Sequence, residues 1–113
     1  MSVAIMGHND FGGEDNSEEF EYLPVSTEHS FIALWEPAIA QLNITTLANG
    51  IYLKREELSE ILSDFRRIQE WVSANPDLSE SEAEAVVNRI DWLIAELPAR
   101  WQKCPCAETL WMG

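Results

Sequence analysis

Two cysteines, Cys104 and Cys106, flank a single proline, Pro105. A thiolate is both a nucleophile and a metal ligand, so these positions are the first to test for chemistry. A disulfide across so short a link is strained. The spacing also misses the two- to four-residue gap of zinc knuckles. His8 and His29 are the only imidazoles. Adding them to the thiols makes four ligands, but no spacing gathers them. Nothing places a base beside either thiol, so a Cys–His nucleophile has no support. The thiols read as reduced, and neither a metal nor a cofactor is expected.

Carboxylates are the other reactive group in quantity. Asp10, Glu14, Asp15 and Asn16 do not fit a calcium loop, which needs alternating oxygens and a late Glu. Gly12 and Gly13 are too few to cradle a phosphate, and the acids around them repel one. Glu56, Glu60 and Asp64 lie four residues apart, so a helix puts them on one face. Glu80 and Glu84 do the same further on, with Asp91 near that line. Like charges at this spacing cost a helix about 0.2–0.5 kcal/mol per pair. Arg67 can answer Asp64, and Arg66 can answer Glu70. The carboxylates form either a solvated face or a negative surface that complements a cationic partner. Five tryptophans add a second signal. Trp35 reads as core. Trp71 and Trp92 sit at or off the edge of their apolar stripes, and Trp101 and Trp111 follow Pro98. Packing explains such residues, and so does use as interface anchors.

The elements that would position these groups follow from periodicity. Residues 7–17 are turn-rich and read as a loop, so residues 1–17 are taken as a mobile arm. Residues 18–23 alternate, with Glu19 and Glu21 opposite Phe20 and Tyr22, as in a half-buried strand ended by Pro24. Ser26 or Thr27 can cap a helix with Glu28 in its first turn. That helix is apolar nearly all round, and Pro37 predicts a kink or break over residues 33–37. Asn49-Gly50 predicts a hairpin across residues 44–54. Leu58, Ile61, Leu62, Phe65, Ile68 and Val72 set a helix from about residue 55 to 74, stopped by Asn75-Pro76. Ser79 and Glu82 form a capping box. Ala83, Val86, Val87, Ile90, Leu93, Ile94 and Leu97 then continue one stripe to Pro98. The short link predicts an antiparallel helical hairpin. Residues 98–113 read as a tail.

Composition bounds the function. The chain has 113 residues, 46% apolar and 24% charged, as expected of one globular domain. Seven Lys plus Arg stand against 20 Asp plus Glu, a net charge of −13. That opposes binding to a phosphate backbone and to an anionic membrane. The first 30 residues hold seven acids and no base. No apolar run reaches the roughly 18 residues of a spanning helix. The opening residues lack the basic region and apolar length of a secretory leader, so a cytoplasmic protein is expected.

The order of short elements carries one resemblance. It runs through Leu23-Pro24-Val25-Ser26-Thr27-Glu28, Phe31 and Trp35-Glu36-Pro37-Ala38-Ile39, then Gly50-Ile51-Tyr52-Leu53 ahead of Glu56-Glu57-Leu58. Over about residues 20–72 this resembles small acidic immunity proteins of bacterial toxin–immunity systems. The resemblance implies a non-catalytic protein that binds and inhibits a cognate toxin, such as a nuclease with a basic active site. It supplies no contact residues. The acid pattern itself points to Glu56, Glu60 and Asp64 first, and to Glu18, Glu19 and Glu21 second, as acceptors for Lys or Arg. The competing readings are a nucleic-acid mimic, an adaptor or oligomer subunit, and, with least support, an enzyme. The expected fold is α+β: a small antiparallel sheet, a kinked central helix and a C-terminal antiparallel helical hairpin.

Overall fold

The computed structural model describes residues 2–7, 23–47, 51–103 and 109–113. Four strands form one antiparallel sheet in the order β2-β1-β4-β3. They are β1 (Ser2–Gly7), β2 (Leu23–Thr27), β3 (Ile51–Lys54) and β4 (Thr109–Met112). The first and last strands lie side by side at the centre, with Ile5 opposite Met112 and Met6 opposite Trp111. Residues 2–7 are therefore sheet, not arm. Val3, Ala4 and Ile5 are all buried. A strand covered on both faces reads as a continuous apolar run without alternation, which hides it from a period-two test.

β2 is an edge strand. Its pairing with β1 slips between Ser26 and Pro24, leaving Val25 as the extra residue of a bulge. Pro24 lies inside this strand and does not end it, since an edge strand tolerates a residue without an N–H. Of the strand expected at residues 18–23, Leu23 belongs to β2 and the rest lies outside the described residues.

Thr27 then caps α1 (Glu28–Ser30), its Oγ1 accepting from the Ser30 N–H at 3.1 Å. A π turn over Phe31–Trp35 separates α1 from α2 (Glu36–Gln41). The kink expected from Pro37 takes this form. The wide turn lets the Glu36 N–H reach the Phe31 carbonyl just before the proline interrupts the ladder. It also turns Phe31, Leu34 and Trp35 inward together, while Ile32 remains 54% exposed.

α2 ends on Asn43 in the left-handed region, φ 54°. The Ile44 N–H bonds the Ile39 carbonyl at 3.0 Å, and the Asn43 N–H bonds that of Ala40 at 3.3 Å. This is the paired bonding of a Schellman stop. It sends residues 44–47 across the core as irregular chain with Ile44, Thr46 and Leu47 buried. Among the described residues the hairpin expected across residues 44–54 is not seen: residues 44–47 are not strand and β3 pairs with β4, while the Asn49-Gly50 turn lies outside the described residues.

A 3-10 turn at Arg55–Glu57 leads into α3 (Leu58–Ala74), and α4 spans Glu80–Lys103. Gln69 meets Val87 and Arg55 meets Trp101, so the two helices run antiparallel. The Ser79 hydroxyl accepts from the Glu82 N–H at 3.2 Å, the first bond of a capping box. Pro98 does not stop α4, which continues five residues further. Burial of Leu97 and Trp101 on either side holds the helix through it. Of the tail expected over residues 98–113, residues 98–103 belong to α4 and Thr109–Met112 to β4, and residues 104–108 lie outside the described residues.

One core joins the layers. Val3, Ile5, Leu23, Val25, Leu53, Leu110 and Met112 of the sheet face Phe65, Ile68, Ile90, Leu93 and Trp101 of the hairpin. Trp35 lies between, stacked on Phe31 at 5.8 Å and edge-on to Phe65 at 6.1 Å. Such ring pairs add about 0.5–1.5 kcal/mol beyond area burial. The molecule is elongated, 47 × 25 × 23 Å. Among the described residues, no helix is long and apolar enough to cross a membrane.

Candidate functional site

The expected acid row is divided by the fold. Glu56 lies in the 3-10 turn, exposed, beside a hollow bordered by Lys54, Arg55 and Thr109. Glu60 and Asp64 border a different hollow of about 420 Å³ between α3 and residues 43–46. Glu56 and Glu60 are exposed, whereas Asp64 is not.

Asp64 is not a free acceptor. Its Oδ2 accepts from the Thr46 hydroxyl. Its Oδ1 accepts from Arg67 Nη1 at 3.1 Å, and Arg67 Nη2 donates to the Leu42 carbonyl at 2.7 Å. The Asp64 side chain is 13% exposed. This clip fastens the chain after α2 onto α3. The i, i+3 pairing was legible in the sequence, but the Thr46 bond, 18 residues away, was not. Glu18, Glu19 and Glu21 lie outside the described residues, as do His8, Cys104 and Cys106. His29 is exposed on α1. Among the described residues, no three His, Cys, Asp or Glu side chains cluster as a metal site.

Arg66 lies 3.9 Å from Asp91 across the hairpin, not against Glu70 as its sequence spacing suggested. Asp91 also accepts from Gln69 Nε2 at 2.8 Å, and the same nitrogen reaches the Val87 carbonyl at 2.9 Å. Arg100 pairs with Glu96 at 3.1 Å. The ion pairs among the described residues thus fall along the body of the hairpin. Its closed end is different. Glu70, Asp77, Glu80, Glu82 and Glu84 are all exposed there, and no Lys or Arg occurs between Arg67 and Arg89. None of the five is in an ion pair among the described residues.

This end is well supported. Trp71 Nε1 donates to Gln41 at 3.1 Å, tying α3 to α2. Asn75 Oδ1 accepts from the Asp77 N–H at 3.0 Å and shapes the link. Glu80 and Glu82 in the first turn of α4 are favoured by its macrodipole. The arrangement is a carboxylate-rich projection on a braced scaffold, able to accept several guanidinium or ammonium groups at once. Its sequence signal was the long interval without a base, which a search for i, i+4 rows passes over.

The tryptophans also find places. Trp35 and Trp101 are each 1% exposed. Trp111 leans on Tyr52 with ring centres 4.9 Å apart. Trp92 lies beneath the guanidinium groups of Arg89, 4.9 Å away, and Arg100, 5.4 Å away. No family model matches the chain, and neither a curated protein nor a solved structure matches it.

Proposed function

We propose that this protein is a non-catalytic inhibitor that binds a cationic protein, in the manner of the small acidic immunity proteins it resembles. The observation that supports this reading is the closed end of the α3–α4 hairpin, with five exposed carboxylates that form no ion pair among the described residues and no Lys or Arg in the sequence between Arg67 and Arg89. Such a surface attracts a basic active site over a long range and rejects acidic partners. Glu56 and Glu60 offer a smaller second surface at the opposite end of α3, with Asp64 left to its structural clip. The encounter takes place in the cytoplasm, where the producing cell must neutralise the toxin.

The test is co-expression with a toxin encoded beside this chain, scored as growth rescue and as affinity between the purified proteins. Changing Glu70, Asp77, Glu80 and Glu84 to their amides removes four charges while keeping size. Affinity is expected to fall at least about tenfold at low salt, with most of the loss in association rate. Unchanged affinity in that variant removes the hairpin end from the contact surface. Failure of the unaltered protein to rescue growth removes toxin inhibition itself. Displacement of nucleic acid from several unrelated basic proteins would instead identify a nucleic-acid mimic.

A further inference from the structure

The solvent side of α4 is unusual. Its core side carries Val86, Ile90, Leu93, Leu97 and Trp101. Diametrically opposite, at helical spacing, run Ser81, Ala85, Asn88, Trp92, Ala95, Ala99 and Lys103. All are exposed except Trp92, which is half-buried. A water-facing helix surface normally carries charge along its middle. In a chain of net charge −13, this 24-residue helix keeps its midline uncharged until Lys103, with a tryptophan near its centre. The charges stand to the sides. One flank carries Glu82, Arg89, Glu96 and Arg100, two of each sign.

Beside the Trp92 indole is a shallow hollow of about 300 Å³, bordered by Ala85, Asn88, Arg89 and Trp92. We infer that this face of α4 is the contact between two copies of the chain, packed antiparallel about a twofold axis at the level of Asp91. A twofold contact needs a self-complementary surface, and this one meets that condition. Antiparallel packing brings the same flank of each helix together. Arg100, which pairs with Glu96 in its own chain, then stands level with Glu82 of the other copy, and Arg89 lies within a turn of that copy's Glu96. Each Trp92 reaches the hollow of its partner, where the small side chain of Ala85 leaves room. Asp91 does not oppose its copy, because it turns toward α3 to meet Gln69 and Arg66. The helix is about 36 Å long, which gives the contact the length of a two-helix seam. The inference does not rest on the toxin-binding reading, although it shares Glu82 with the surface proposed there.

Sedimentation of the full chain across micromolar to sub-millimolar concentrations tests it. The unaltered protein is expected to approach twice the 12.9 kDa chain mass. Ala85→Glu puts a carboxylate into the hollow at an exposed position. It is expected to weaken association at least about tenfold. Arg100→Glu is expected to do the same, and adding Glu82→Arg to restore association by returning opposite charges across the seam. Helical circular dichroism of each variant confirms that the chain is folded. A protein that stays at single-chain mass throughout overturns the proposal. So does an Ala85→Glu variant that associates as the unaltered protein does, or a double reversal that recovers nothing.

Discussion

Asp64 provides the sharpest test of how the acids divide between scaffold and surface. Replacing it with alanine strips the Thr46 hydroxyl of its acceptor and Arg67 of one partner. Thr46 is only 6% exposed, so its hydroxyl cannot readily turn to water. An unsatisfied buried donor costs about 1–3 kcal/mol. The Arg67 side chain is 45% exposed and re-solvates, so its lost ion pair adds less than about 1 kcal/mol. The expected destabilisation by Asp64→Ala is therefore about 1.5–3 kcal/mol. In urea that moves the unfolding midpoint by about 1 M, given a slope of about 1–3 kcal/mol per molar. Thr46→Val removes the donor yet leaves Asp64 with Arg67, so it is expected to cost less. The double variant should cost less than the sum, with a coupling of about 1–2 kcal/mol between residues in direct contact. Partner affinity, measured on folded protein, should not change with Asp64→Ala. An Asp64→Ala midpoint indistinguishable from the unaltered protein, or strict additivity in the cycle, refutes the clip.

Three further outcomes follow from the same geometry. Pro98→Ala is expected to stabilise the protein by about 1–3 kcal/mol, because it returns an N–H to the interior of a helix that already runs through this position; a thermal melt at or below the unaltered midpoint contradicts it. Arg55→Ala removes a donor 3.0 Å from the Trp101 carbonyl and a cation resting on the Trp101 ring, and should cost about 1.5–3 kcal/mol. Amide exchange in the last turn of α4 should quicken in that variant, with Arg55→Lys recovering only part of the loss. Raising ionic strength from about 0.01 to 0.1 M shortens the screening length from about 30 to 10 Å. Repulsion among the unpaired acids should then weaken more than the few ion pairs do, so the melting temperature is expected to rise; a fall would show that the pairs dominate.

Legibility in the sequence tracked the range of the interaction. α3 and α4 were plain because Ile61, Phe65, Ile68 and Val72, and then Val86, Ile90, Leu93 and Leu97, repeat every three or four residues. The Thr27 and Ser79 caps and the Asn75 stop are equally local. β1 and β4 were hidden in part because the pairing that joins them spans about 105 residues, the separation of Met6 and Trp111. Ile44 to Leu47 have the composition of a strand, but the left-handed Asn43 and the bond from Thr46 to Asp64 hold them otherwise. At the candidate site, the Asp64–Arg67 pair was readable from spacing. The engagement of the other Asp64 oxygen by Thr46 was not, because that bond spans 18 residues.

The electronegative end of the hairpin is a consequence of how the arginines are employed. Each of the five holds some part of the scaffold. Arg67 joins Asp64 to the Leu42 carbonyl, and Arg55 covers Trp101 while bonding its carbonyl. Arg66 meets Asp91. Arg89 reaches from Trp92 to the Pro24 carbonyl on the edge strand, and Arg100 lies between Glu96 and Trp92. Several of these tasks combine a hydrogen bond with contact to a ring or a second acceptor, which a planar guanidinium does and an ammonium does poorly. Turning Arg67 or Arg55 toward Glu70, Asp77 or the start of α4 would give up their backbone hydrogen bonds. The arginines are thus largely engaged in the scaffold, and the five carboxylates at this end form no ion pair among the described residues.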